Sequence, residues 1–135
     1  MSKQIQVFYE LEVLDGQADE LRDIARQMVA YNQEGEPGTL VYNVYMSDDE
    51  KLLTLMETWA DSEAGIFHAE RFAKGNFVGQ VLERTGNARL CFYGNASDDM
   101  KNWATENLGL GVSAQKIFET LVNNDFELKE IESFL

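Results

Sequence analysis

The sequence predicts a single α+β domain, and three observations carry that prediction. Hydrophobic patterns follow one another as strand, helix, strand, strand, helix, strand, which is the βαββαβ order of ferredoxin-like domains. The chain has 135 residues, the size of about one domain. Its composition, with 44% hydrophobic residues and one proline, is that of an ordinary globular protein. We therefore expect one domain over residues 1–135, with a core at about 5–95 and a helical extension at 96–135.

The first half of the predicted fold is a strand followed by a helix. Residues 5–14 alternate between apolar and polar side chains, which is typical of a half-buried strand. The apolar side consists of Ile5, Val7, Tyr9, Leu11 and Val13. From about Gln17 to Glu34, apolar residues recur at helical spacing, and Gly35-Glu36-Pro37-Gly38 ends that helix.

A hairpin and a second helix are predicted next. Two apolar segments at 39–46 and 51–59 flank the polar turn Ser47-Asp48-Asp49-Glu50, as expected of paired strands. Asp61 or Ser62 can cap a helix that Gly75-Asn76 interrupts. A short apolar continuation of that helix is expected after the break.

The last predicted strand and the C-terminal extension follow. Residues 87–94 form the fourth strand of the expected sheet. Ser97 or Asp98 can cap a short helix, Ser113 can cap another, and apolar residues recur between 126 and 135. We expect this extension to pack on the core.

Charge and residue usage exclude several classes of function. The chain carries 24 acidic and 11 basic residues, a formal charge of −13, which disfavours nucleic acid and anionic membranes as partners. Because the N-terminus lacks a secretion signal and no apolar run reaches about 20 residues, a cytoplasmic protein is expected. One cysteine, Cys91, and one histidine, His68, exclude an internal disulfide and a zinc site of Cys and His ligands. No metal is expected.

The strand pattern also predicts a sheet face that the helices leave uncovered, since two helices shield only one face of four strands. If the apolar side of the first strand lies under the helices, aromatic and polar residues from all four strands share the opposite face. This predicted face consists of Phe8, Glu10, Asn43, Tyr45, Glu57, Trp59, Cys91 and Tyr93.

Such a face is too apolar to leave in water, so a second copy of the chain is expected to cover it. One interpretation is a homodimer with a small-molecule cavity between the copies. The alternative is a dry dimer interface, where Trp and Tyr are enriched in any case. The pattern alone leaves both open.

Two segments and one histidine resemble a known family. Glu36-Pro37-Gly38-Thr39-Leu40-Val41-Tyr42, then Glu57-Thr58-Trp59-Ala60-Asp61-Ser62-Glu63-Ala64, then His68, are similar to the antibiotic biosynthesis monooxygenase family, which includes quinol monooxygenases. The resemblance spans roughly residues 5–95. It implies a dimeric α+β barrel that, in active members, oxygenates electron-rich aromatic substrates with dioxygen and without metal or flavin.

Site residues are predicted on that basis. Trp59, which matches the family's E-x-W motif, would supply a flat wall for an aromatic ring. His68 is the candidate base, because its unperturbed pKa allows proton exchange near neutral pH. Side chains from the strand pattern would orient oxygen atoms or contact the ring. The residues expected to bind substrate are Phe8, Asn43, Tyr45, Glu57 and Tyr93.

Structural roles compete with these assignments. His68 shares a helix face with aromatic residues and can be a boundary histidine that bonds to the backbone. Trp59 can be a packing residue at a strand end. Glu57 can accept a hydrogen bond across the dimer, pair with Arg89 or, if desolvated, become a proton acceptor with a raised pKa. Cys91 fits a small core residue better than a nucleophile.

Three functions remain in competition. A cofactor-independent monooxygenase agrees with the family motifs and with the lack of a dinucleotide-binding glycine pattern, so no cofactor is expected. A non-catalytic dimeric protein could hold a hydrophobic metabolite in the same pocket. Haem binding or degradation is the third, because related barrels handle haem and a single histidine can ligate iron. Those relatives also use an Asn from the first strand, which residues 5–14 lack.

Overall fold

A computed structural model describes residues 3–108. In this part of the chain the predicted order of strands and helices is confirmed, including the short helix predicted after the last strand. The elements are β1 (Ile5–Val13), α1 (Ala18–Gly35), β2 (Thr39–Met46), β3 (Leu52–Trp59), α2 (Ser62–Lys74), α3 (Phe77–Leu82), β4 (Thr85–Tyr93) and α4 (Asp98–Leu108).

The four strands form one antiparallel sheet in the order β2-β3-β1-β4. β1 is therefore central and pairs with β3 on one side and β4 on the other, while β2 and β4 are edge strands. This is the α+β ferredoxin-like arrangement that the order of elements predicted. The register of β2 on β3 shifts once, between Thr39 and Val41.

One face of the sheet, here the inner face, carries the hydrophobic core. The predicted apolar side of β1 is buried along its whole length, from Ile5 to Val13. α1 packs against the core through Leu21, Ile24 and Met28, which recur at helical spacing. The helices thus cover this face because their apolar stripes match it.

Polar caps and a left-handed residue fix the helix ends. The Asp61 carboxylate accepts from the Ala64 backbone N–H at 2.8 Å and begins α2. Asn76 has φ +61°, which separates α2 from α3 at the predicted break. Ser97 Oγ accepts from the Met100 N–H at 3.2 Å at the start of α4. The helices predicted from Ser113 onward lie outside the described residues.

The face assigned to β3 was wrong. Residues directly opposite one another in an antiparallel pair project to the same face, and Glu57 lies opposite Val7 while Trp59 lies opposite Ile5. Glu57 and Trp59 therefore point to the inner face, under the helices. Their exposed fractions are 6% and 2%. Met56, opposite Phe8, projects to the other side instead.

The outer face of the sheet carries the other residues predicted for it. Phe8 lies opposite Cys91, Glu10 opposite Arg89 and Gln6 opposite Tyr93. Asn43 and Tyr45 lie on this face as well, since Asn43 pairs with Met56. A pair between Glu57 and Arg89 is consequently excluded, because the sheet separates them. Cys91 is fully buried, although it projects to the outer face and not into the core under the helices.

No helix between residues 3 and 108 combines the length and the apolar character that crossing a bilayer requires.

Candidate functional site

A small cavity lies between the inner face of the sheet and helices α2 and α4. Its volume is about 40 Å³, which is room for roughly two or three water molecules. Its walls are mainly apolar and aromatic, with four polar side chains among them. Those four are Tyr9, Tyr42, Glu57 and His68.

Glu36, from the Glu36-Pro37-Gly38 segment, does not line the cavity but contacts His68, which does. The residue follows α1 and is buried. Its Oε1 lies 2.7 Å from His68 Nδ1 and accepts from Thr39 Oγ1 at 2.7 Å. Its Oε2 accepts from Arg71 Nε at 3.3 Å. The segment that ends α1 therefore also orients the histidine of α2.

His68 lies between two carboxylates. Nδ1 contacts Glu36, and Nε2 lies 3.2 Å from Glu57 Oε1. The Phe72 ring stacks on the imidazole at 6.0 Å between centroids, and the rings of Tyr42 and Trp59 lie at 5.5 and 5.7 Å. Both ring nitrogens are thus engaged by acceptors, in an aromatic enclosure that excludes water. We call Glu36, His68 and Glu57 the carboxylate–imidazole chain.

Glu57 lines the cavity beside Trp59, as His68 also does. Its Oε1 accepts from Trp59 Nε1 at 3.3 Å and also faces His68. Its Oε2 makes no hydrogen bond within residues 3–108. One carboxylate oxygen is therefore fixed by the protein, and the other is available to a ligand.

The two carboxylates have opposite pKa shifts. Burial alone would raise the pKa of Glu36, but hydrogen bonds from His68, Thr39 and Arg71 outweigh it and lower the pKa. Burial dominates at Glu57 and raises its pKa, although the charge of His68 and the bond from Trp59 oppose the rise. Glu36 is thus held as an anion, whereas Glu57 binds a proton more readily than an ordinary carboxylate.

His68 and the two tyrosines keep their protons more tightly than usual. Burial disfavours the imidazolium, but Glu57 and Glu36 together outweigh it and raise the pKa of His68. Burial and the charge of Glu57 raise the pKa of Tyr9 to about 12, and burial raises that of Tyr42 well above its usual value. The tyrosines therefore remain neutral hydrogen-bond donors beside an acidic centre.

Trp59 is held against α2 by a glycine. A Cβ on Gly65 would overlap the Trp59 indole ring, so the helix approaches the strand end closely only because residue 65 has no side chain. Trp59 is consequently both a packing residue and a wall of the cavity. Its two predicted roles are compatible, and the one toward a substrate stays a prediction.

The other predicted binding residues lie elsewhere. Phe8, Asn43, Tyr45 and Tyr93 line a shallow depression of about 490 Å³ on the outer face. The sheet separates this depression from the cavity beside His68. The structure therefore brings together His68, Trp59 and Glu57, and does not bring the remaining four to them within one copy of the chain.

Three residues at the site were not predicted from the sequence. Glu36 and Tyr42 belong to the segment that carries the family resemblance, but nothing in their spacing indicates that they approach His68. Asn32 is buried in α1, and its Nδ2 and the Tyr42 hydroxyl are the two fully buried side-chain polar atoms without a partner in the described part of the chain. The sequence signal for Asn32 was its position on the apolar stripe of α1, where a polar side chain is unusual.

α4 closes the cavity on the side away from the sheet. It contributes Met100, Trp103, Ala104 and Leu108 to the wall, and Ala104 is completely buried. Sites for small organic ligands usually measure about 300–1,000 Å³. The cavity has room for only a few water molecules, so an aromatic ligand must displace side chains of this wall.

No group of three or more His, Cys, Asp and Glu side chains between residues 3 and 108 is arranged to hold a metal ion. In the carboxylate–imidazole chain, both nitrogens of His68 already face carboxylates.

The sheet order, the helical cover and a buried His beside an E-x-W strand define an α+β protein of the ferredoxin-like class. The family model for antibiotic biosynthesis monooxygenases matches residues 5–74, which is just over half of the chain. The chain belongs to the antibiotic biosynthesis monooxygenase family. The matched region contains all three residues of the carboxylate–imidazole chain together with Trp59 and Tyr42.

Solved structures with the same fold are known. The structure of MupZ from Pseudomonas fluorescens matches with a TM-score of 0.63 at 13% identity, covering 80% of this chain and 84% of MupZ. A Caulobacter crescentus protein, provisionally named an antibiotic biosynthesis monooxygenase, gives 0.59 at 24%, covering 71% and 92%. One from Bacteroides thetaiotaomicron with the same provisional name gives 0.59 at 18%, covering 65% and 85%. At these identities the likeness establishes the fold. No curated protein sequence matches the chain.

Proposed function

We propose that the protein is a cofactor-independent monooxygenase that acts on a small electron-rich aromatic compound, such as a quinol or a polyketide-like anthrone. The reaction would take place in the cavity between the sheet, α2 and α4. The observation that carries this proposal is the buried carboxylate–imidazole chain at an aromatic wall, with one Glu57 oxygen left for a ligand. Family membership agrees with it.

In this chemistry the substrate supplies the electrons. A base removes the phenolic proton, and the resulting anion reduces dioxygen within the site. For an anthrone, a CH₂ group and O₂ become a C=O group and one water molecule, so one oxygen atom enters the product and the other leaves reduced. The protein contributes proton transfer, orientation and exclusion of water.

Glu57 is the proton acceptor in this proposal, with His68 behind it. The sequence suggested His68 as the base, but both nitrogens of His68 face carboxylates and its pKa is raised, which favours the charged ring. Glu57 Oε2, which makes no hydrogen bond within the described residues, is the acceptor atom in this proposal. His68 Nε2 lies 3.2 Å from Glu57 Oε1 and, as a charged ring, stabilises the Glu57 carboxylate before it takes up the proton.

We also propose that a second copy covers the outer face and completes a homodimer. Tyr45, Met56 and Val41 on this face are 51%, 46% and 42% exposed. Three large apolar side chains on one sheet surface favour burial against another protein surface. The outer depression lined by Phe8, Asn43, Tyr45 and Tyr93 would then lie between the copies, where it is either filled by the partner or kept as a second cavity.

Oxygen-dependent turnover tests the catalytic proposal. We expect a panel of quinols and anthrones to contain a compound that is oxygenated in air and unchanged under anaerobic conditions. Glu57→Gln should lower kcat by about 10² or more, as removal of a general base does. Glu63→Gln, on the exposed side of α2, is the matched control and should retain the rate.

A non-catalytic binding protein is the second candidate, favoured by how completely the protein itself satisfies His68. In that case Trp59→Leu should weaken binding of an aromatic ligand, while no compound shows oxygen-dependent turnover for Glu57→Gln to abolish. Absence of turnover across a broad panel, with aromatic binding retained, would replace the first candidate with the second.

Haem ligation by His68 is not supported by the geometry. An iron atom at either ring nitrogen would have to displace a carboxylate at 2.7 or 3.2 Å. β1 supplies Val7 and Tyr9 to the cavity in place of an asparagine. We expect no shifted Soret band when hemin is added at equal concentration.

A further inference from the structure

The Tyr42 hydroxyl on the cavity wall and the neighbouring amide of Asn32 in α1 are buried polar groups. Neither the Tyr42 hydroxyl nor Asn32 Nδ2 makes a hydrogen bond of full geometry within the described residues. Burial raises the pKa of Tyr42, and Asn32, which approaches the hydroxyl oxygen as a donor, opposes that rise, so the hydroxyl proton is the group left without an acceptor. Asn32 is 3% exposed, so water from outside does not satisfy it.

Buried polar atoms in folded proteins nearly always have partners, and the exceptions mark strain, function or a missing ligand. Tyr42 lines the cavity together with His68 and Glu57, with its ring centroid 5.5 Å from that of His68. Its hydroxyl stays protonated because burial and the two carboxylates, Glu57 and Glu36, all raise its pKa. The atoms that lack a partner are therefore donors adjacent to the proposed reaction site.

The charge around these donors restricts the ligand that fits them. Glu57 lies on one side of Tyr42 and Glu36 on another, and both disfavour a further negative charge. His68 and Arg71 carry the balancing positive charges, but both already face carboxylates. A neutral acceptor oxygen is the group that satisfies donors in this setting.

We propose that the Tyr42 hydroxyl, positioned by Asn32 behind it, forms a subsite that binds the carbonyl oxygen of an aromatic ketone or quinone-type ligand. The proposal deepens the proposed function, on which it rests for the location of the ligand in this cavity. The ligand class is then an aromatic compound with a neutral carbonyl oxygen toward α1 and an acidic hydroxyl or CH₂ group toward Glu57. Tyr42 and Asn32 determine specificity, and Glu57 takes the proton.

A donor subsite of this kind discriminates through the hydrogen bond that only one of two similar ligands can make. A ligand with a carbonyl group pairs the donors, whereas the same skeleton without oxygen leaves them buried and unpaired. The sharpest comparison is therefore between two ligands that differ only in that oxygen. 1-Tetralone and tetralin are such a pair.

Isothermal titration of both compounds tests the proposal. We expect the wild-type protein to bind 1-tetralone more tightly than tetralin. Tyr42→Phe should weaken 1-tetralone binding by roughly 3- to 10-fold, the range for one hydrogen bond, and leave tetralin binding unchanged. Asn32→Leu should likewise weaken binding of 1-tetralone relative to tetralin. Tyr31→Phe removes a hydroxyl from α1 outside the cavity wall and is the control.

The proposal is overturned if 1-tetralone fails to bind the wild-type protein, binds no better than tetralin, or binds Tyr42→Phe with unchanged affinity. Thermal unfolding without ligand supplies a second readout. Because the hydroxyl has no acceptor between residues 3 and 108, Tyr42→Phe should keep or raise Tm, and a lowered Tm would show that the protein supplies one. Binding needs no oxygen, so carbonyl-dependent binding without turnover would retain the subsite and remove the oxygenase.

Discussion

At the scale of single residues, His68 explains why its neighbours are polar in an otherwise apolar interior. Glu36 and Glu57 are buried carboxylates, and each would be costly alone. The imidazolium between them, with Arg71 beside Glu36, brings the buried charge close to neutrality. The Glu36-Pro37-Gly38 segment thus contributes to the site through Glu36, from the far end of α1.

Replacement of the histidine should make stability depend less on pH. The pKa of folded His68 is raised above its ordinary value of 6.5, so its contribution is complete below that pH and declines as the pH rises through the folded value. The raised pKa of Glu57 acts in the same direction. The pKa of Glu36 is lowered from its ordinary value of 4.5. Its contribution to stability is therefore complete above pH 4.5 and is lost as the pH falls through the lower pKa of the folded protein.

We therefore expect His68→Gln to lower the free energy of unfolding by about 3 kcal/mol at pH values between 4.5 and 6.5. The reason is that the substitution leaves buried carboxylates without their partner. The difference from the wild type should shrink toward alkaline pH. Urea denaturation over a pH series measures it. A difference that grows with pH would contradict the assigned charge of His68.

The Trp59 wall depends on a single glycine. Gly65→Ala places a Cβ in the Trp59 ring, so we expect a loss of about 1–3 kcal/mol from overpacking. Gly79→Ala in α3 is the matched control, since its Cβ meets nothing within 4 Å, and it should be neutral or stabilising. Thermal unfolding of both variants tests the claim, which fails if Gly65→Ala is as stable as Gly79→Ala.

At the scale of elements, the orientation of β3 decides where the site lies. β3 has apolar or aromatic residues at both parities, with Met56 on one face and Trp59 on the other, so alternation does not indicate its inner side. Pairing with β1 sets the orientation, because Val7 brings Glu57 to its own face. The faces of β1 and β4 were assigned correctly, because in each strand the alternate residues that face the helices are more apolar than those on the other side.

α4 is the element that limits the cavity. If its side chains must move for an aromatic ligand to enter, Trp103→Ala should speed association of 1-tetralone roughly tenfold, which corresponds to about 1.4 kcal/mol less work to open the wall. Stopped-flow fluorescence measures the rate. Asn102→Ala, on the exposed side of α4, is the control. An unchanged rate in Trp103→Ala would show that ligands enter elsewhere.

At the scale of the whole molecule, the two faces of the sheet differ in character. The inner face carries a cavity built from one copy of the chain, and the outer face carries exposed apolar side chains. In the proposed function, catalysis and assembly would therefore use different faces, whereas the sequence predicted both on one surface.

We expect sedimentation velocity to show a dimer at micromolar concentration. Met56→Lys places a charge at the centre of the outer face and should give monomers that still bind 1-tetralone, because the cavity needs no partner residue. Leu82→Lys, at a 37% exposed position on α3, should remain dimeric. A wild-type monomer, or a Met56→Lys dimer, would contradict the proposed interface.

The sequence by itself determined the order and type of every element between residues 5 and 93, since hydrophobic period, turn residues and caps are local properties. It also identified His68, Trp59 and Glu57 as site candidates, and their roles stay predictions. Only the tertiary structure decided that Glu36 and Tyr42 join them, that Phe8, Asn43, Tyr45 and Tyr93 do not, and that α4 closes the cavity. These outcomes depend on strand register and helix docking, which join residues that are distant in the chain and leave no periodic trace in it.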